Sequence, residues 1–188
     1  MRLLVVLLLL TYSAVAEEQL FFSLGDFRLE SGEVIRDASL GYRTCGRLNA
    51  AGTNAVLFPT WFGGVTANLE QYCAPDSWID PERYFVVFVD AFGNGVSSSP
   101  SNSKLQPREK FPRFTIRDLV NAQRRLVTEK LGLKKLHTVM GISMGGMQTF
   151  QWIVQYPDFM ERAIPVVGSP RLASSDLLLW EAELAAIE

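Results

Sequence analysis

Ser143 stands in the hexapeptide Gly141-Ile142-Ser143-Met144-Gly145-Gly146, which follows an apolar run at 136–140 and opens a helix-like segment at 144–156. A strand, a sharp turn and a helix around G-x-S-x-G form the setting of a nucleophile elbow. The chemistry this predicts is attack of a serine hydroxyl on an acyl carbon. The glycines have a steric task, because a serine lifted above a strand end sits in a strained turn where neighbouring Cβ atoms would collide. Gly141 and Gly145 remove those atoms. The alternative for the same residues is a plain Gly/Ser turn with no chemistry.

A nucleophilic serine needs a base, an acid to orient the base, and donors for the developing oxyanion. One expected donor is the backbone N–H of Met144, which begins a helix and sits at the positive end of its dipole. A second is expected from the loop Pro59-Thr60-Trp61-Phe62-Gly63-Gly64, from Trp61 or its neighbour Phe62. The same two aromatics could equally be buried rings under a loop. Removing one oxyanion donor typically costs about a hundredfold or more in rate.

The base is harder to place. His137 is the single histidine of the chain and lies on the strand leading into Ser143. Six extended residues at about 3.3 Å each put it roughly 20 Å from the serine, whereas proton transfer needs a contact of about 3 Å. His137 is therefore expected at the solvent-facing end of the strand. Asp158 and Asp176 follow Ser143 but have no histidine to orient, and Asp158 after Pro157 reads as turn chemistry.

The elements that must hold these residues follow from the apolar pattern. Residues 19–43 alternate apolar and polar around a turn at 30–33, which predicts an antiparallel hairpin. Buried strands are expected at 55–58 and 84–89, the second continuously apolar as strands covered on both faces are, and a further short apolar strand at 163–167. Thr115 and Asp118 have the form of a capping box ahead of a helix that Gly132 closes. Pro157 stops the helix behind Ser143, and 174–188 reads as a further helix with Leu177, Leu178, Trp180, Leu184 and Ile187 on a broad apolar face. Strands alternating with helices predict an α/β fold with a doubly wound, mostly parallel sheet carrying an N-terminal antiparallel hairpin.

Arg2, the apolar run 3–10 and Ala14-Val15-Ala16 have the order of a secretory signal peptide with cleavage after residue 16. The run is much shorter than the ~20 residues of a membrane-spanning helix, so stable membrane insertion is not expected. The domain proper is then 17–188. A net charge of −2, with Arg124-Arg125 and Lys134-Lys135 as short pairs, gives no reason to expect nucleic acid. Cys45 and Cys73 would meet an oxidising compartment after export, and sequence does not show whether they pair. No His/Cys cluster supports a metal, and no cofactor is expected.

Residues 115–171 resemble the homoserine O-acetyltransferase group of α/β-hydrolase-fold proteins. The resemblance is carried by Arg117-Asp118-Leu119-Val120-Asn121-Ala122-Gln123, Gly141-Ile142-Ser143-Met144-Gly145-Gly146-Met147-Gln148, Trp152, Tyr156-Pro157-Asp158 and Ser169-Pro170-Arg171. Weaker similarity reaches back through 54–64 to the hairpin. Only the N-terminal half of such a protein is represented, truncated before the final strands. The resemblance implies a Ser-His-Asp mechanism through an acyl-serine on Ser143, with a small-molecule ester or acyl donor as substrate. It also implies that the acid and histidine lie beyond a helical lid, of which 174–188 would be the beginning. Two features depart from the acetyltransferases: Pro59-Thr60-Trp61 lacks their histidine, and 91–100 replaces a Gly-Gly-Cys-type loop. Both, with export, put ester hydrolysis beside acyl transfer as the expected activity. The competing expectation is a secreted, catalytically inactive fragment or binding remnant of the same fold.

Overall fold

The computed structural model describes residues 18–187, so the expected signal peptide at 1–16 lies outside the described residues. Six strands form one mixed sheet: β1 Leu20–Arg28, β2 Val34–Cys45, β3 Ala55–Pro59, β4 Phe85–Val89, β5 Leu136–Ile142 and β6 Met160–Val166. Their spatial order is β1-β2-β4-β3-β5-β6. The expected N-terminal hairpin is present, with β1 antiparallel to β2 and β2 antiparallel to β4. The strands β4, β3, β5 and β6 run parallel to one another.

Burial follows the two-residue period of the strands. On one face, Ala55, Leu57, Val87, Val89 and Val139 join the larger core with the hairpin residues Ile35 and Leu40. On the other, Val56, Phe58, Val86, Phe88 and Met140 form a second cluster with Leu69, Cys73 and Ile79. Helix α1 (Ile116–Arg125) and helix α2 (Met144–Gln155) cover the first face through Leu119, Val120, Ala122 and Trp152. The second face is covered differently. The connection from β3 to β4 has only single helical turns at Thr66–Asn68 and Glu70–Tyr72, and a Cys45–Cys73 disulfide fastens it to the end of β2.

Helix α1 begins where the capping box predicts. Asp118 Oδ2 accepts the Thr115 backbone N–H at 2.8 Å, and its Oδ1 accepts the Glu30 backbone N–H at 2.8 Å. This buried carboxylate therefore ties the hairpin turn to the helix start. The helix runs on as one wider turn at Leu126–Lys130, where Leu131 N–H reaches the Leu126 carbonyl, and ends before Gly132 at φ 65°. β6 starts three residues before its expected position.

A third helix, α3 (Ser174–Ile187), follows β6 and has no buried residue. Leu178 and Leu184 are exposed, and Trp180 meets Phe62 edge-on with ring centroids 5.5 Å apart. Among the described residues, no helix is long and apolar enough to cross a membrane.

Candidate active site

Strands β3, β4 and β5 leave the sheet side by side at Pro59, Val89 and Ile142, and the residues that follow them build the site. Ser143 has φ 55° and ψ −118°, a conformation that costs a non-glycine residue of order 1–3 kcal/mol. Its N–H donates to the Val166 carbonyl at 2.9 Å, and its carbonyl accepts from Met147 N–H at 3.0 Å. The turn is thus held from β6 on one side and from α2 on the other. The residue is exposed.

Neither elbow glycine has room for a side chain. A Cβ on Gly141 would lie 2.3 Å from the Gly145 carbonyl, and one on Gly145 would lie 2.7 Å from the Pro59 carbonyl oxygen. Both obstacles are backbone atoms, which cannot swing aside. The second contact also shows that the first turn of α2 abuts the exit of β3. Gly146 and Gly168 make a further close approach, missed in the sequence: a Cβ on Gly146 would sit 2.9 Å from the Gly168 Cα.

Met144 opens α2, where the first N–H groups of a helix have no intrahelical acceptor. Trp61 begins a turn closed by Gly64 N–H to its own carbonyl at 3.1 Å, with Gly63 at φ 71°. The Trp61 indole packs against the second core cluster and lies across Gly64, where a Cβ would come within 2.6 Å of Nε1. Phe62, in contrast, is 68% exposed, so it is not a ring buried under the loop.

A buried polar chain steadies the same loop. Gln148 Nε2 donates to the Thr60 carbonyl at 3.0 Å, Gln123 Nε2 donates to Gln148 Oε1, and Trp152 Nε1 donates to Gln123 Oε1 at 2.8 Å. All three side chains are essentially inaccessible to solvent. Sequence reasoning placed these residues only within a resemblance. The signal available was three hydrogen-bonding groups on helix faces that otherwise pack into the core.

Asp90, buried at the exit of β4, is the second group missed. Its carboxylate accepts from Thr66 N–H, Thr66 Oγ1, Asn94 Nδ2 and Gln19 Nε2 at 2.8 to 3.1 Å. An acid directly behind the apolar run of β4 was the available hint.

His137 and Asp158 stay apart from Ser143. His137 lies at the opposite end of β5, as its spacing required. It is half-buried rather than solvent-facing, because its ring packs on Tyr84 with centroids 5.1 Å apart and its nitrogens bond Thr138 Oγ1 and the Arg162 guanidinium, both at 2.8 Å. Asp158 lies past the far end of α2, about 18 Å along the helix axis. Asp176 Oδ2 accepts Ala173 N–H at 3.0 Å at the start of α3.

Residues 55–183 match the model of the alpha/beta hydrolase fold, and the chain belongs to that family. It is 39% identical over 169 residues to an ethyl acetate hydrolase of Pseudomonas veronii, covering 88% of this chain and 48% of the relative. It is 37% identical over 182 residues to a homoserine O-acetyltransferase of Pelobacter propionicus, covering 86% and 48%. Among solved structures, an acetylester hydrolase from Corynebacterium glutamicum superposes with a TM-score of 0.84 at 38% identity, over 88% of this chain and 48% of that one. The chain thus spans about half the length of the curated relatives it matches.

Proposed function

We propose that Ser143 is the nucleophile of an acyl-transfer enzyme whose ordinary acceptor is water, an ester hydrolase of small acyl esters. The observation that carries this reading is an exposed serine at positive φ, at the first turn of a helix, with glycines at the positions that admit no Cβ. Its hydroxyl attacks the ester carbonyl, and the N–H groups of Met144 and Trp61 receive the negative charge that develops on oxygen. The alcohol leaves, and water releases the acyl group from the serine. The relatives named as hydrolases support water over homoserine as acceptor, as do the departures at Pro59-Thr60-Trp61 and 91–100. The base and its acid come from polypeptide outside these 188 residues, in line with His137 at the far end of β5.

The α3 segment acts as the start of a lid, a reading supported by the Trp180–Phe62 contact beside the Trp61 turn. The protein is exported, as the pattern of residues 2–16 suggests and as a disulfide between Cys45 and Cys73 favours.

The test is to incubate the protein, purified together with the polypeptide that supplies the base and acid, with a fluorophosphonate probe and with activated esters, alongside Ser143→Ala. Labelling and turnover that disappear in the variant support the nucleophile. The distance of His137 from Ser143 favours a second reading, an inert fragment or binding remnant. Complete absence of labelling would establish that reading instead.

A further inference from the structure

We propose that Asp90 is a positioning residue for the oxyanion loop, acting through Thr66 and Asn94 on the backbone that carries the Trp61 N–H. The inference rests on the nucleophile reading given above. A carboxylate accepts hydrogen bonds and donates none, and bonds to it are stronger and shorter than those between neutral groups. Asp90 is fully buried, and both of its oxygens are used. Oδ1 accepts Thr66 N–H at 2.8 Å and Asn94 Nδ2 at 2.8 Å, and Oδ2 accepts Thr66 Oγ1 at 2.9 Å and Gln19 Nε2 at 3.1 Å.

The asymmetry of these contacts matters. Asn94 spends its amide twice, on Asp90 and on the Gly64 carbonyl at 3.1 Å. Asp90 therefore grips the segment 64–66 at two backbone groups, the Gly64 carbonyl through Asn94 and the Thr66 N–H directly. Gly64 also closes the turn on Trp61. From the other side, Gln148 holds the Thr60 carbonyl. The four-residue turn between these anchors is pinned at both ends, which is what a preorganised donor requires. Burying a carboxylate is costly. Here the site supplies its compensation from neutral donors and from Arg43, whose Nε donates to Gln19 Oε1 at 3.0 Å behind the Gln19–Asp90 bond.

The experiment compares the parent protein with Asp90→Asn and Asn94→Ala. The second keeps the buried carboxylate and breaks its bridge to Gly64, together with the bonds from Val96 N–H and Ser97 N–H to Asn94 Oδ1, so it serves if the first fails to fold and is read at 64–66. Two readouts are taken: amide hydrogen exchange by residue, and the saturation kinetics of fluorophosphonate labelling at Ser143, which separate the maximal rate from the half-saturating concentration. The expected result is at least ~10-fold faster exchange confined to 60–66 and 94–97, with the maximal labelling rate falling ~10-fold or more and half-saturation unchanged. Unchanged exchange at 64–66 in both variants overturns the proposal. So does a rise spread evenly over the sheet, which would mark Asp90 as a general support of the fold. A parent protein that does not label refutes the nucleophile instead, and the exchange pattern then decides the positioning role by itself.

Discussion

Replacing Gln148 by leucine should be among the costliest single changes that leave the apolar core intact. Leucine is close to glutamine in volume, so little cavity forms, and the loss is confined to hydrogen bonds. Gln148→Leu leaves the Thr60 carbonyl without its Gln148 donor and Gln123 Nε2 without its acceptor. Each orphaned buried group costs about 1–3 kcal/mol, which gives roughly 4 kcal/mol together. For a domain of this size that lowers the melting midpoint by about 8–16 °C. Gln123→Leu orphans Gln148 Oε1 and Trp152 Nε1 and should cost a similar amount. In the double variant the two glutamines no longer need each other, and only Thr60 and Trp152 lose partners. Its cost should fall short of the sum of the singles by roughly 2 kcal/mol or more. Urea titrations followed by tryptophan fluorescence and by circular dichroism measure all four corners of the cycle. Additivity within about 0.5 kcal/mol would show that the three side chains do not act as a chain. A loss below about 1 kcal/mol for Gln148→Leu would show that the Thr60 carbonyl finds another donor.

Other outcomes follow from single features. Replacing Cys45 and Cys73 together by alanine, or reducing the bond, should lower stability by about 3–4 kcal/mol, the loop-closure value for the 28-residue separation, read as a drop in urea midpoint that the parent shows only with dithiothreitol. Ser143→Gly relieves the strained φ and should raise stability by about 1 kcal/mol while abolishing fluorophosphonate labelling, so a lowered melting midpoint would deny the strain. The Glu129 carboxyl is held below the ordinary glutamate range by its hydrogen bond from Arg125. Its contribution is therefore present above the unfolded pKa and lost as pH falls through the lower folded one. Glu129→Gln should cost about 0.3–0.5 kcal/mol at neutral pH and nothing in acid, with the difference read from paired melts across pH.

The strands were legible because burial on both faces leaves no room for polar residues, as at Val86, Val87 and Phe88. The helix start at Thr115 was legible because its cap is local, a bond between residues three apart. What escaped detection was non-local. The Asp90 site draws on Gln19, Thr66 and Asn94, which only the sheet order brings together. Whether Cys45 and Cys73 meet depended on a crossover whose path over β4 has no periodic signature. The position of His137 along β5 followed from strand rise alone, but its half-buried state did not, because Tyr84, just ahead of β4, and Arg162 on β6 reach it from distant parts of the sequence.

Gly146 and Gly168 leave no gap between the start of α2 and the chain leaving β6, while the Ser143 N–H is tethered to Val166. The serine therefore moves only if the sixth strand moves with it. New selectivity on this frame has to arise in side chains that can change without moving the serine, the exposed Phe62 ring at the tip of its pinned turn and the solvent-facing α3. Under the proposed hydrolase reading, laboratory selection for altered ester preference should accumulate changes at those two places and leave the glycine pair untouched.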